Sequence, residues 1–116
     1  MPKENLILTK SYDFALDIIA VYQHLANDRK EYVLSKQLLR SGTSIGANAE
    51  EATAGISKKE FIAKLQISYK EARETRYWLR LFRDSKILDT SKAQELIAKC
   101  EEIIRILNAI LQSSKE

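Results

Sequence analysis

The sequence contains one proline, one cysteine and three glycines, and no apolar run approaches the roughly 20 residues that cross a bilayer. The proline is Pro2, so nothing in the rest of the chain forbids long helices. A single thiol, Cys100, excludes an internal disulfide framework and a Cys-rich zinc site, and its apolar helical position predicts a buried, inert side chain. Residues 1–10 lack the apolar core and cleavage site of a signal peptide. We therefore expect a cytoplasmic protein without a membrane span.

Composition places the chain among soluble, helix-rich proteins. Hydrophobic residues make up 45% of the 116 positions and charged residues 30%, which argues against disorder. This length fits one domain over residues 1–116. The net charge of +3 permits contact with nucleic acid without requiring it.

Apolar residues recur at spacings of three and four in four segments, which predicts four helices. The first lies within residues 5–26 and ends where Asn27 and Asp28 favour a turn. The second runs over about residues 34–54, with Gly55 as a left-handed stop. Short connections between the four helices favour an all-α, antiparallel up-down-up-down four-helix bundle.

Two capping boxes mark the other helix starts. Ser57 with Glu60 opens the third helix, and Ser91 with Gln94 opens the fourth, after a connection at residues 84–90. The third helix has the most regular inner seam, formed by Phe61, Leu65, Ser68, Ala72, Thr75, Leu79 and Phe82.

The segment LLRSGTSIGANAEEA, residues 38–52, is unusual for a helix because Gly42 and Gly46 interrupt it. A phosphate-binding P-loop is excluded: three residues instead of four separate the glycines, and Ala47 stands where the lysine belongs. Glycine inside a helix costs about 1 kcal/mol against alanine, so a close helix contact must compensate. We predict that contact with the third helix, in a register that pairs Ser41 with Ala72 and Ile45 with Ser68.

Polar side chains in a helix contact that excludes water need hydrogen-bond partners, because an unpaired buried group lowers the free energy of unfolding by about 1–3 kcal/mol. We expect a polar cluster that bridges the second and third helices, with Ser44 and Asn48 near Ser68 and Lys64. Its members are Arg40, Ser41, Ser44, Asn48, Glu51, Glu71 and Glu74. A ligand or metal site built from the three glutamates is the alternative, although the Glu-x-x-His pairing of di-iron bundles is missing.

Together with ISYKEARETRYWLRLF, residues 67–82, this segment resembles the four-helix bundle proteins encoded in intervening sequences of bacterial large-subunit ribosomal RNA genes. The accessory variability proteins of diversity-generating retroelements look like relatives. The resemblance implies a ring-like homopentamer and, through those relatives, binding of nucleic acid and partnership with a reverse transcriptase. Many members carry alanine at Gly42 and isoleucine at Ala49, so tighter packing is expected here.

Five cations recur along one face of the third helix and form a candidate nucleic-acid-binding stripe: Lys70, Arg73, Arg76, Arg80 and Arg83. Each phosphate neutralised by such a stripe releases counterions, so binding would weaken steeply with salt. The alternative is a solvated face whose charges are neutralised by Glu71, Glu74 and Asp84. Tyr77 and Trp78 suit base stacking or packing.

Excess apolar residues predict subunit contacts. The fourth helix carries a second apolar row, and the first helix shows a similar excess, beyond what one bundle interior easily absorbs. The candidate contact residues are Ile19, Tyr22, Ile97, Ile104 and Leu111. A wide core-facing stripe is the alternative.

These features favour a non-enzymatic, oligomeric bundle, without cofactor, that acts as a nucleic-acid-binding or scaffold protein. An assembly module that binds only proteins is the alternative. An enzyme or metal carrier ranks third, because no nucleophile and base pair is evident.

Overall fold

The computed structural model describes residues 3–115, with side chains from residue 5 onward; residues 1, 2 and 116, and so Pro2, lie outside it. Within this range the chain forms four α-helices and no strand: α1 Lys3–Asn27, α2 Val33–Thr53, α3 Lys58–Asp84 and α4 Thr90–Ser113. The all-α prediction is confirmed. Contacts join α1 to α2, α2 to α3, α3 to α4 and α1 to α4, as in a four-helix bundle.

The start of α3 agrees with the sequence, whereas the start of α4 does not. The Ser57 side chain accepts a hydrogen bond from the backbone N–H of Glu60 at 3.1 Å, which is one half of the predicted capping box. The Glu60 carboxylate accepts from the N–H of Ile56 at 3.0 Å, one residue before the Ser57 N–H that was expected. The predicted box of Ser91 with Gln94 is wrong: α4 begins at Thr90, and the Asp89 carboxylate caps it by accepting from the Lys92 N–H at 3.1 Å. A carboxylate at this end also complements the helix dipole.

The predicted left-handed stop at Gly55 is also wrong, since no glycine among residues 3–115 has a positive φ. The N–H of Ala54 bonds instead to the carbonyl of Glu51 at 3.2 Å, and that of Gly55 to the carbonyl of Ala52 at 3.1 Å. These bonds over three residues tighten the last turn and satisfy its carbonyls without a left-handed residue.

A carboxylate that the sequence analysis missed caps α2. Glu31 accepts from the backbone N–H groups of Leu34 at 3.0 Å and Ser35 at 2.8 Å. Burial alone would raise the pKa of the Glu31 carboxyl, but these N–H groups outweigh it and the pKa falls below its ordinary value. The charged form of Glu31 therefore stabilises the α1–α2 connection.

The α1–α4 contact combines an apolar interior with ion pairs outside. Lys10 pairs with Glu102 at 3.2 Å and Lys99 with Asp17 at 2.9 Å, above a cavity of about 190 Å³. Deeper in the core, the Cys100 thiol donates to the carbonyl of Ala72 at 3.2 Å, and burial raises its pKa to about 12. The predicted buried thiol is confirmed. No helix within residues 3–115 is long and apolar enough to span a membrane.

Candidate nucleic-acid interface

Buried hydroxyl groups fix how α3 lies against α2. The hydroxyls of Ser41 and Thr75 share a hydrogen bond of 2.9 Å, and both residues are fully buried. Ser68, also buried, donates to the carbonyl of Ile45 at 2.8 Å. The predicted pairing of Ile45 with Ser68 is thus present, while Ser41 meets Thr75, one turn beyond its predicted neighbour Ala72.

An ion network covers this contact on the solvent side. Arg40 on α2 donates to Glu71 at 3.1 Å and to Glu74 at 2.5 Å. The indole N–H of Trp78 also donates to Glu74, at 3.0 Å. Trp78 and then Arg40 lower the pKa of the Glu74 carboxyl. Glu71 and Glu74 are therefore directed toward α2.

The three glutamates of the alternative metal site are all paired with basic side chains. Arg40 occupies Glu71 and Glu74, while Lys64 pairs with Glu51 at 2.8 Å. Among the side chains that the structure describes, from residue 5 to residue 115, no three potential metal ligands converge closely enough to hold an ion. The network is an interhelical salt bridge between α2 and α3.

Two predicted members of the bridging cluster bond elsewhere. Ser44 donates to the carbonyl of Arg40 at 2.6 Å, and Asn48 donates to the carbonyl of Ser44 at 2.8 Å, both within α2. The expectation that they bond to Lys64 and Ser68 is wrong. Side chains of this length can reach the carbonyl one turn earlier and satisfy themselves locally.

The two glycines face α1, which corrects the prediction that they serve the α2–α3 contact. A Cβ on Gly42 would lie 2.9 Å from Cγ1 and Cγ2 of Ile18, and one on Gly46 would lie 3.1 Å from the Ser11 hydroxyl. The glycines therefore give α1 room to approach. On the α3 side, serines and alanines provide the close contact.

The predicted basic stripe divides into two groups. Arg76 lies 3.8 Å from Glu101, and Arg83 bonds to Asp84 at 2.8 Å and to Gln94 at 3.3 Å. The Arg83 guanidinium holds the pKa of Asp84 below its ordinary value. These two arginines are thus engaged by acidic or polar groups of the same chain.

The other three cations of the stripe, Lys70, Arg73 and Arg80, are exposed, and we call them the basic ridge. Within the described part of the chain, none of them lies within ion-pair distance of a carboxylate. Arg73 instead donates to the Tyr69 hydroxyl at 3.2 Å, and its guanidinium lies 5.9 Å from the centre of that phenol ring. Of the three acids that were expected to neutralise the stripe, Glu71 and Glu74 are bound to Arg40, and Asp84 is bound to Arg83. The charge of Arg80 also helps to lower the pKa of Asp84, but the two groups form no ion pair.

Some of the apolar residues proposed as subunit contacts are buried inside the bundle, and others remain partly exposed. Ile97 and Ile104 are only 6% and 8% exposed, so the prediction that the bundle interior cannot absorb both rows of α4 is wrong. Each helix meets two neighbours, which broadens its buried face. Tyr22 and Leu111 are half-buried.

Ile19 is 37% exposed, and two residues that the sequence analysis missed, Tyr12 at 64% and Leu16 at 52%, continue its row. We call these three residues the α1 stripe. Their spacing of four and three was visible in the sequence, but it lies beside the core seam of α1 and merges with it. An open groove of about 310 Å³ lies beside Tyr12 and is lined on the α2 side by residues that include Gly46 and Ala47.

The fold and this surface define a small all-α protein of four helices with a basic ridge on α3. Residues 3–109 match the model of the 23S rRNA-intervening sequence protein family, and the chain belongs to this family. It is also similar to the crystal structure of a protein of unknown function from the S23 ribosomal protein family of Bacteroides thetaiotaomicron VPI-5482. The two are 42% identical over 96% of this chain and 99% of that chain, with a TM-score of 0.93. A comparison with curated proteins finds no match.

Proposed function

We propose that this protein is a non-enzymatic, homo-oligomeric four-helix bundle that binds nucleic acid or supports a nucleic-acid enzyme. The basic ridge carries the proposal. None of its three cations forms an ion pair with a carboxylate among the described side chains, while Arg40 holds Glu71 and Glu74 and Arg83 holds Asp84. A phosphate backbone supplies the missing negative charge and releases counterions as it binds.

We infer that neighbouring helices alternate in direction, up-down-up-down. In contacts between neighbours, residue numbers rise along one helix as they fall along the other. The supporting pairs are Ile18 with Gly42 and Ser11 with Gly46; Ser41 with Thr75 and Ile45 with Ser68; Arg76 with Glu101 and Arg83 with Gln94; and Lys10 with Glu102 and Asp17 with Lys99. This arrangement leaves the outer side of α3 open to a ligand.

The α1 stripe supports self-association. Exposed apolar residues in a helical row commonly mark a subunit contact, because water contact with them is unfavourable. The sequence resemblance gives a ring-like homopentamer as the expected assembly. Cyclic symmetry would repeat the basic ridge around the ring and multiply its phosphate contacts.

The family name associates its members with intervening sequences of 23S rRNA, which makes RNA the first ligand to test. Kinship with the retroelement accessory proteins, a reverse-transcriptase partner and a cytoplasmic location remain predictions from the sequence.

A binding assay at low salt with structured RNA and duplex DNA tests the nucleic-acid role. We expect binding by the unmodified chain and its loss when Lys70, Arg73 and Arg80 are all changed to glutamate. A control with the same change in net charge replaces Lys36, Lys59 and Lys115, which are also exposed, by glutamate. Binding lost equally in both variants would assign the effect to overall charge, and no binding by the unmodified chain would remove the nucleic-acid role.

The α1 stripe favours a second candidate function, an assembly module that binds only protein. In that case the ridge variant would assemble and capture a protein partner as the unmodified chain does.

A further inference from the structure

We propose that the basic ridge binds single-stranded nucleic acid and that a base of the strand stacks on Tyr77. This inference rests on the proposed function and specifies its ligand. It follows from an exposed aromatic side chain that is held in place among cations that form no ion pair with a carboxylate.

Tyr77 is 51% exposed although it lies in the middle of α3. Its phenol ring contacts the Trp78 indole edge to face, with centres 5.3 Å apart and planes at 69°. Trp78 packs against the core and is tied to Glu74 by its 3.0 Å hydrogen bond. The indole therefore restrains Tyr77, so binding a base requires little further ordering of this side chain.

The cations surround Tyr77 at helical spacing. Arg73 lies four residues before it and Arg80 three residues after it, so all three share one side of α3. Lys70 continues the row one turn further toward the helix start. The ridge extends over about 15 Å at 1.5 Å per residue, which lets successive phosphates meet successive cations while a base reaches the phenol ring.

A duplex fits this surface less well. The bundle is 21 × 20 Å across, and α3 contacts α2 on one side and α4 on the other. A major groove about 12 Å wide cannot admit a helix flanked in this way. Bases in a duplex are also stacked on each other, so only phosphates would be contacted and Tyr77 would contribute nothing.

A protein partner fits less well too. A partner that buried Tyr77 would also desolvate three cations and would need several acids in matching positions. A nucleic-acid strand brings a phosphate with every base, so its charge and its stacking surface come together.

The test measures binding of a fluorescent oligouridine of about 20 nucleotides and of a duplex of equal length. We expect Tyr77→Ala to weaken single-strand binding about tenfold and to leave duplex binding unchanged. Tyr77→Phe keeps the aromatic face and should retain the affinity. Tyr32→Ala is the control and should leave both affinities unchanged, since it removes a similarly exposed tyrosine at the start of α2, outside the basic ridge and the α1 stripe.

The outcomes separate the two proposals. Equal affinity for both probes, with no effect of Tyr77→Ala, would overturn the stacking inference and leave the phosphate-binding role intact. No binding of either probe at low salt would remove the proposed function and the inference together. Capture of a protein through Tyr77, with no preference for single strands, would contradict the inference in favour of a protein contact.

Discussion

The hydroxyls of Ser41 and Thr75 are hydrogen bonded at 2.9 Å inside a contact from which solvent is excluded. Both residues directly follow a residue of the ion network in the sequence: Arg40 precedes Ser41, and Glu74 precedes Thr75. The buried bond and the Arg40–Glu74 bond thus lie on the same helical turns. Together they fix the rotation of α3 against α2 and determine which side of α3, with its basic ridge, faces solvent.

Thr75→Val should lower the free energy of unfolding by about 1 kcal/mol, because the bond between the Thr75 and Ser41 hydroxyls is lost and Ser41 keeps only its 3.4 Å bond to the Leu38 carbonyl. Adding Ser41→Ala should recover part of this loss, so the two changes combine to less than the sum of the single ones. Urea unfolding followed by circular dichroism measures each variant. Thr53→Ala, whose hydroxyl bonds only within its own helix, is the control partner and should add to Thr75→Val independently. Simple additivity of Ser41→Ala and Thr75→Val would contradict the coupling.

Gly42→Ala should destabilise the protein by about 1 kcal/mol. Overpacking against Ile18 costs about 1–3 kcal/mol, and the helix preference of alanine offsets about 1 kcal/mol of it. In an Ile18→Ala background, where Cγ1 and Cγ2 are absent and only the Cβ of residue 18 at 3.3 Å remains, Gly42→Ala should become stabilising in the same unfolding assay. Gly46→Ala should lower the free energy of unfolding by less than Gly42→Ala does, because the Ser11 hydroxyl, 3.1 Å from the added Cβ, can rotate away. If Gly42→Ala still lowered the stability in the Ile18→Ala background, the close contact of Gly42 would involve a residue other than Ile18.

Glu31→Ala should lower the free energy of unfolding by about 1 kcal/mol near pH 7, as expected for loss of a helix cap. The pKa of Glu31 is lowered in the folded chain, so its stabilisation is fully present above the unfolded pKa and disappears as pH falls through the folded one. Unfolding at about pH 3 should therefore show a smaller difference from the unmodified chain. Glu50→Ala, an exposed carboxylate on α2, is the control. An effect of Glu31→Ala that is independent of pH would exclude the charged cap.

Periodicity predicted the helices and their buried seams well, because helix packing in a bundle depends mainly on which residues share a face. It could not predict which neighbour each face meets. Gly42 and Gly46 lie on the side of α2 that contacts α1, and only the three-dimensional arrangement distinguishes that side from the one that contacts α3.

Local competition between side chains also escaped the sequence analysis. Asp89 caps α4 where Ser91 was expected, and Glu31 caps α2 from outside the helix. Several residues near a helix start can donate or accept, and the path of the preceding loop selects among them. Likewise, the five-residue basic stripe was visible in the sequence, but its division depended on two acids, Glu101 on α4 and Asp84 at the end of α3.

Leu16→Glu should reduce the mass of the assembly measured by light scattering, because it places a charge in the middle of the α1 stripe. The unmodified chain should have the mass of a pentamer, as the sequence resemblance implies. Ile67→Glu is the matched control, since Ile67 is an exposed isoleucine on α3 outside this stripe. An unchanged mass for Leu16→Glu, or an equal loss for Ile67→Glu, would show that subunits meet elsewhere.

The most direct test of the account is the salt dependence of single-strand binding. Replacing Lys70, Arg73 and Arg80 by glutamine should make the slope of log affinity against log salt less steep by about 2 for each chain engaged, since each lost phosphate contact contributes about 0.7. Replacing Lys36, Lys59 and Lys115, which are exposed lysines outside the ridge, by glutamine should leave the slope unchanged. A slope that is unaffected by the three ridge substitutions, or one that falls equally with these control substitutions, would contradict the assignment of the basic ridge as the phosphate-binding surface.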